Sequence, residues 1–141
     1  MATTAPVRTP THLWIVGILS LLWNAFGCFN YLMAQTGRLE LTAEMQAWMD
    51  GFSTWMNAAW AIGVWFSLLG SLLLLARSRF AELAFGLSLA GLAANSIAQV
   101  VLNPPPGGPG PADLAILAMI WAILIALLIY SRRMRAAGVL R

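Results

Sequence analysis

Residues able to do chemistry are few in this chain, and they are scattered. His12 is the single histidine and Cys28 the single cysteine, which excludes a disulfide framework, a CxxC redox pair and a histidine-cysteine zinc site. Glu82 is the one carboxylate placed to enter an apolar run, and a charge inside a membrane is by default a functional candidate. Its position three residues after Arg79 points instead to an interfacial ion pair or snorkelling. Asp113 fits the first turn of a helix, where negative charge is favoured. No nucleophile with its base and acid, phosphate-cradling glycine loop or metal-ligand spacing emerges, so the expectation is a protein without catalytic residues, metal or cofactor.

The amides say more. Asn24, Asn30, Asn57, Asn95 and Gln99 all fall within or at the edge of long apolar stretches, where an unpaired polar group needs a protein partner or water. Ser96, Trp23, Trp60 and Tyr31 lie at similar depths. Two readings stand side by side. These side chains line an outward-facing pocket for a polar or amphipathic molecule, or they are hydrogen bonds that hold helix to helix.

The elements that position them are set by composition. The 141 residues are 60% hydrophobic and 9% charged, with a mean hydropathy of +0.78, whereas a soluble domain is about a quarter charged. The chain is therefore expected to be a single all-α domain over residues 1–141, an integral membrane four-helix bundle. Spans are expected at about 13–33, 55–75, 80–102 and 112–130, each near the length of about 20 residues that crosses a bilayer. Residues 1–12 read as an irregular arm, and the first span as an uncleaved helix. In the first external loop, Thr42 starts a short interfacial helix at about 42–50, whose Met45, Trp48 and Met49, with Leu41 and Phe52, follow helical spacing and form a lid candidate. The stretch 103–111, NPPPGGPGP, cannot stay helical.

Small residues recur on one face of every span: Gly17, Ser20, Gly27 and Cys28; Gly63, Ser67, Gly70 and Ser71; Ala84, Ser88 and Gly91; Ala115, Ala118, Ala122 and Ala126. Such faces let membrane helices approach closely, so bundle packing is expected at all four. Charge orients the bundle. Arg8, Arg77, Arg79, Arg132, Arg133, Arg135 and Arg141 fall on one side and Arg38 alone on the other, which by the positive-inside rule places both termini in the cytoplasm. The net charge of +3 then reflects topology rather than nucleic acid.

The segments WNAFGCFNYLMAQT, AAWAIGVW and LGSLLLL carry a further expectation. Through them the chain resembles, over nearly its whole length, a family of small four-helix bacterial inner-membrane proteins, some labelled sugar transporters. An Asp-Tyr pair at the end of that family's first helix stands here as Asn30-Tyr31. The resemblance implies the bacterial inner membrane, a multi-pass topology and, through the label, transport. The expected function is the binding or transport of a small polar solute or lipid at Asn24, Asn30, Tyr31, Asn57, Trp60, Asn95 and Gln99, with membrane lipid as surroundings. The alternative is a non-catalytic accessory or assembly subunit of a homo-oligomer or larger membrane complex.

Overall fold

The computed structural model describes residues 7–141, so the first half of the N-terminal arm lies outside the described residues. The described chain is helical, without strands. Helix α1 spans Thr11–Gln35, α2 Ala43–Asp50, α3 Thr54–Leu75, α4 Phe80–Ile97 and α5 Pro111–Ala136. A π-helical turn, Ala98–Leu102, continues α4. Four helices, α1, α3, α4 with its π turn, and α5, are long and apolar enough to cross a membrane, with 25, 22, 23 and 26 residues.

Local chemistry sets the ends. The Thr42 hydroxyl accepts a hydrogen bond from the Met45 amide at 3.2 Å, an N-cap that starts α2 where the sequence places it. Helix α5 opens with Pro111, whose missing N–H costs nothing at that position, and the Asp113 carboxylate accepts from the Gly110 amide at 3.1 Å. The arm is shorter than the sequence reading has it, since Thr11 and His12 already belong to α1. The last span is longer. Helix α5 runs on through Arg132, Arg133 and Arg135 to Ala136, because arginine is a good helix former and its charge is favoured at a helix C-terminus. Gly138, at φ +78°, then reverses the chain, and Val139 and Leu140 fold back into the core.

The helices form a row rather than a closed ring. Helix α1 packs on α3, α3 on α4 and α4 on α5, whereas α1 and α5 share no comparable interface. The tightest pair is α3 with α4. Its approach depends on Gly91, where an added Cβ would lie 2.6 Å from the Gly63 nitrogen and 2.9 Å from the Ala59 carbonyl oxygen. The Ser88 hydroxyl donates to the Gly63 carbonyl across the same contact at 2.6 Å.

The first and last described segments lie at the same end of the bundle. His12 meets the Tyr130 hydroxyl, and Arg141 pairs by backbone with Arg77 and Arg79 in the turn between α3 and α4, at 2.9 and 3.0 Å. That end holds the seven arginines and most of the buried cluster, including Leu13, Leu74, Phe85, Leu127 and Leu140. The opposite end carries α2 and the proline-rich loop. The molecule is thus wedge-shaped, closed at the arginine end and parted between α1 and α5 toward the lid end.

Small faces of three spans behave as packing surfaces. Gly17, Ser20, Asn24 and Cys28 on α1, Ser67, Gly70 and Ser71 on α3, and Ala84, Ser88 and Gly91 on α4 are buried. The fourth differs from expectation: Ala115, Ala118, Ala122 and Ala126 of α5 are all exposed. Helix α5 packs chiefly on α4 and buries its larger Leu124 and Leu127, leaving the alanines outside.

Candidate lid-covered cavity between the first and last helices

The parting between α1 and α5 opens a cavity of about 470 Å³, within the range of about 300–1,000 Å³ usual for small-molecule sites. Its floor is α3 and α4, through Ala59, Gly63, Ser67 and Leu92. One wall is α1, through Trp23, Asn24, Gly27 and Asn30; the other is α5, through Leu117, Ile120 and Leu124. Its roof is α2 and the loop, through Met45, Trp48, Phe52 and Pro105. Phe26 of α1, 61% exposed, and Ile116 of α5, 51% exposed, are apolar lining residues at the molecular surface.

The roof is latched. The Trp48 indole donates to the Asn103 carbonyl at 3.0 Å, and Phe52 packs edge-on to Trp48 with ring centroids 4.9 Å apart. Asn103 is itself fixed by the π turn, its amide donating to the Ala98 carbonyl at 2.8 Å. That wide turn sits before Pro104-Pro105-Pro106, where proline disfavours continued α-helix at the preceding residue, and π turns often mark functional positions. It carries Gln99 and Val100 into the lining.

Of the seven residues singled out from the sequence, five line this space: Asn24, Asn30, Trp60, Asn95 and Gln99. Their surroundings differ. Asn24, 6% exposed, donates through Nδ2 to the Ser67 carbonyl at 3.0 Å and to the Ser71 hydroxyl at 2.8 Å. Ser71 donates on to Ser20 at 3.0 Å, and Ser20 to the Gly17 carbonyl at 3.0 Å, so the Asn24 amide belongs to a buried chain that ties α1 to α3. Asn95 accepts from Gln99 at 3.0 Å, a pairing one turn apart on the same helix. Asn30, half-buried among the lining residues, has no side-chain hydrogen bond to another described residue.

Tyr31 and Asn57 stand outside the lining. Tyr31 packs edge-on behind Trp60, at 5.0 Å between centroids, and against Trp65 at 6.3 Å; it supports the wall. The Asn57 side-chain oxygen Oδ1 accepts from the Gln35 side-chain amide at 3.1 Å and joins the end of α1 to the start of α3. The two side chains share a depth with the cavity but lie on another face, which depth alone does not separate.

Sequence reasoning missed the α5 wall, whose aliphatic residues look like any span, and the lining role of Asp113. Asp113 is the one ionisable residue among the lining residues, so the cavity contains a carboxylate and no cation. Glu82 forms the ion pair expected of it, with different partners. It pairs with Arg132 at 3.1 Å and Arg135 at 2.8 Å on α5 rather than with Arg79, which lies over the Phe80 ring at 5.3 Å. The first turn of α4 faces the last turns of α5, and there the two guanidinium groups reach the carboxylate.

Among the described residues no group of three histidine, cysteine, aspartate or glutamate side chains is placed to hold a metal. What the cavity offers is an apolar slot with amides and indoles toward one end, suited to an uncharged polar head joined to an apolar body. The chain matches no family model, no curated protein and no solved structure, and its function is argued from this geometry.

Proposed function

We propose that the protein is a non-enzymatic binding protein of a bacterial inner membrane, one that holds a small amphipathic molecule, a lipid or lipid-like solute with an uncharged polar head, and hands it across or along the bilayer. The observation that carries this reading is the cavity of about 470 Å³ between α1 and α5 under a latched roof, with exposed apolar residues of both helices in its lining. A molecule already dissolved in the membrane enters from the side, puts its head among Asn30, Asn95, Gln99 and the indoles, and leaves its chain in the gap. Asp113 and the lack of a lining cation disfavour an anionic head. The resemblance to four-helix inner-membrane proteins agrees with a transport-like role and with this location.

The test is native mass spectrometry of protein extracted from its own membrane in mild detergent. An amphipathic molecule bound one to one is expected, with occupancy lowered at least tenfold in the Asn30→Leu/Asn95→Leu double variant, which keeps the Asn24 chain intact. Equal occupancy in the two proteins would sink the reading.

The exposed alanine stripe of α5 favours a second reading, an accessory subunit or homo-oligomer that docks this face against another membrane helix. The same spectra decide it: a second chain bound in place of a small molecule, and lost on Ala122→Leu, supports docking.

A further inference from the structure

At the opposite end of the molecule a second groove, of about 570 Å³, runs between the first turns of α4 and the last turns of α5. It shares no residue with the cavity beneath α2. Its mouth carries Arg79, Arg132 and Arg135, and its apolar side is Leu83, Leu87 and Leu128. Leu83 and Leu87 stand one helical turn apart, so they form a rail along the helix axis of about 6 Å. Between them Gly86 leaves the groove empty, since a Cβ added there meets no heavy atom within 4 Å.

Charge at the mouth is unbalanced. Glu82 engages Arg132 through Nε and Arg135 through Nη1, which fixes both guanidinium groups while leaving their other N–H donors free to bind. The two side chains stay 68% and 57% exposed. Arg79 joins no ion pair among the described residues. Three guanidinium groups against one carboxylate leave an excess of positive charge directly above an apolar rail, the arrangement by which basic pockets between membrane helices take acidic lipid head groups.

We propose that this groove is a binding site for an anionic phospholipid, its phosphodiester held by Arg79, Arg132 and Arg135 and one acyl chain laid along Leu83, Leu87 and Leu128 over Gly86. Glu82 acts as a positioning residue that holds two of the arginines toward the head group. A zwitterionic lipid fits less well, because its ammonium is repelled by the arginine excess. A free phosphate lacks the contact with the rail.

The protein reconstituted in nanodiscs of phosphatidylcholine with increasing phosphatidylglycerol, followed by native mass spectrometry of retained lipids, tests this directly. One tightly held phosphatidylglycerol is expected, bound at least tenfold in preference to phosphatidylcholine. Arg79→Gln, which breaks no ion pair, should lower that preference roughly fivefold, as about 1 kcal/mol per arginine implies. Gly86→Leu, which fills open space, should remove the tightly held lipid without lowering the melting temperature. Equal retention of the two lipids overturns the site. So does a preference that neither variant changes, which would reflect the general charge of the arginine end, and so does displacement by inorganic phosphate.

Discussion

Asn24 shows how one amide in a membrane helix serves structure and lining at once. Its donors are spent on Ser67 and Ser71, whereas the side chain of Asn30, also in the lining, has no partner among the described residues. The two positions are therefore expected to separate stability from binding. Asn24→Ala should cost about 1–3 kcal/mol, since it removes two interhelical hydrogen bonds worth roughly 0.6–1.7 kcal/mol each. Asn30→Ala should stay within about 0.5 kcal/mol, as a substitution that breaks no contact. Reversible unfolding of the two variants by denaturing detergent in mixed micelles measures both, and equal losses would place Asn30 in a structural network as well. The residue types alone make both asparagines candidates for either role. Only the position of Ser71 opposite Asn24 tells them apart, and that pairing spans 47 positions of sequence.

At the scale of elements, the sequence was most readable where a signal is local. Apolar runs mark the four spans, Thr42 marks the start of α2, and the prolines mark the loop. What could not be read is the order in which helices neighbour one another. Periodicity gives each span a small-residue face but does not say whether a partner covers it, so the buried face of α1 and the bare alanine face of α5 look alike in the sequence. The gap between α1 and α5 and the fold-back of Val139 and Leu140 depend on contacts between distant segments for the same reason. The roof illustrates the difference: the periodicity of Met45, Trp48 and Met49 shows an amphipathic helix, while its anchor, the Asn103 carbonyl, lies 55 positions away. That anchor carries a prediction. Trp48→Phe keeps the ring and removes the N–H, losing one hydrogen bond of about 1 kcal/mol. A thiol introduced as Met49→Cys under the roof, in a Cys28→Ala background, should then react with maleimide roughly fivefold faster, the factor that about 1 kcal/mol gives for an opening equilibrium. An unchanged rate would mean that packing of Trp48 against Phe52, rather than the hydrogen bond, holds the roof.

Across the whole molecule, charge and shape are graded along the same axis. Seven arginines and Glu82 stand at the closed end, while Arg38 with Glu40, Glu44, Asp50 and Asp113 stands at the lid end, so the tightly packed end is positive and the cavity end negative. A membrane reads this as an orientation: arginines near span ends are retained on the cytoplasmic side, whereas carboxylates weigh little. The arginine end is accordingly expected in the cytoplasm and the roofed cavity on the opposite face, the side from which the proposed exchange would take place. In a Cys28→Ala background every introduced thiol reports alone, since Cys28 is the only native one. Pro106→Cys, exposed in the loop, should be labelled by a membrane-impermeant maleimide on intact cells. Ala137→Cys, exposed beyond α5, should be labelled only after the membrane is opened. Replacing Arg132, Arg133 and Arg135 with glutamine removes three of the retained charges and should make a measurable share of the molecules accessible at position 137 from outside. The reverse labelling pattern in the otherwise unaltered chain would put the cavity on the cytoplasmic face and turn the proposed direction of exchange around.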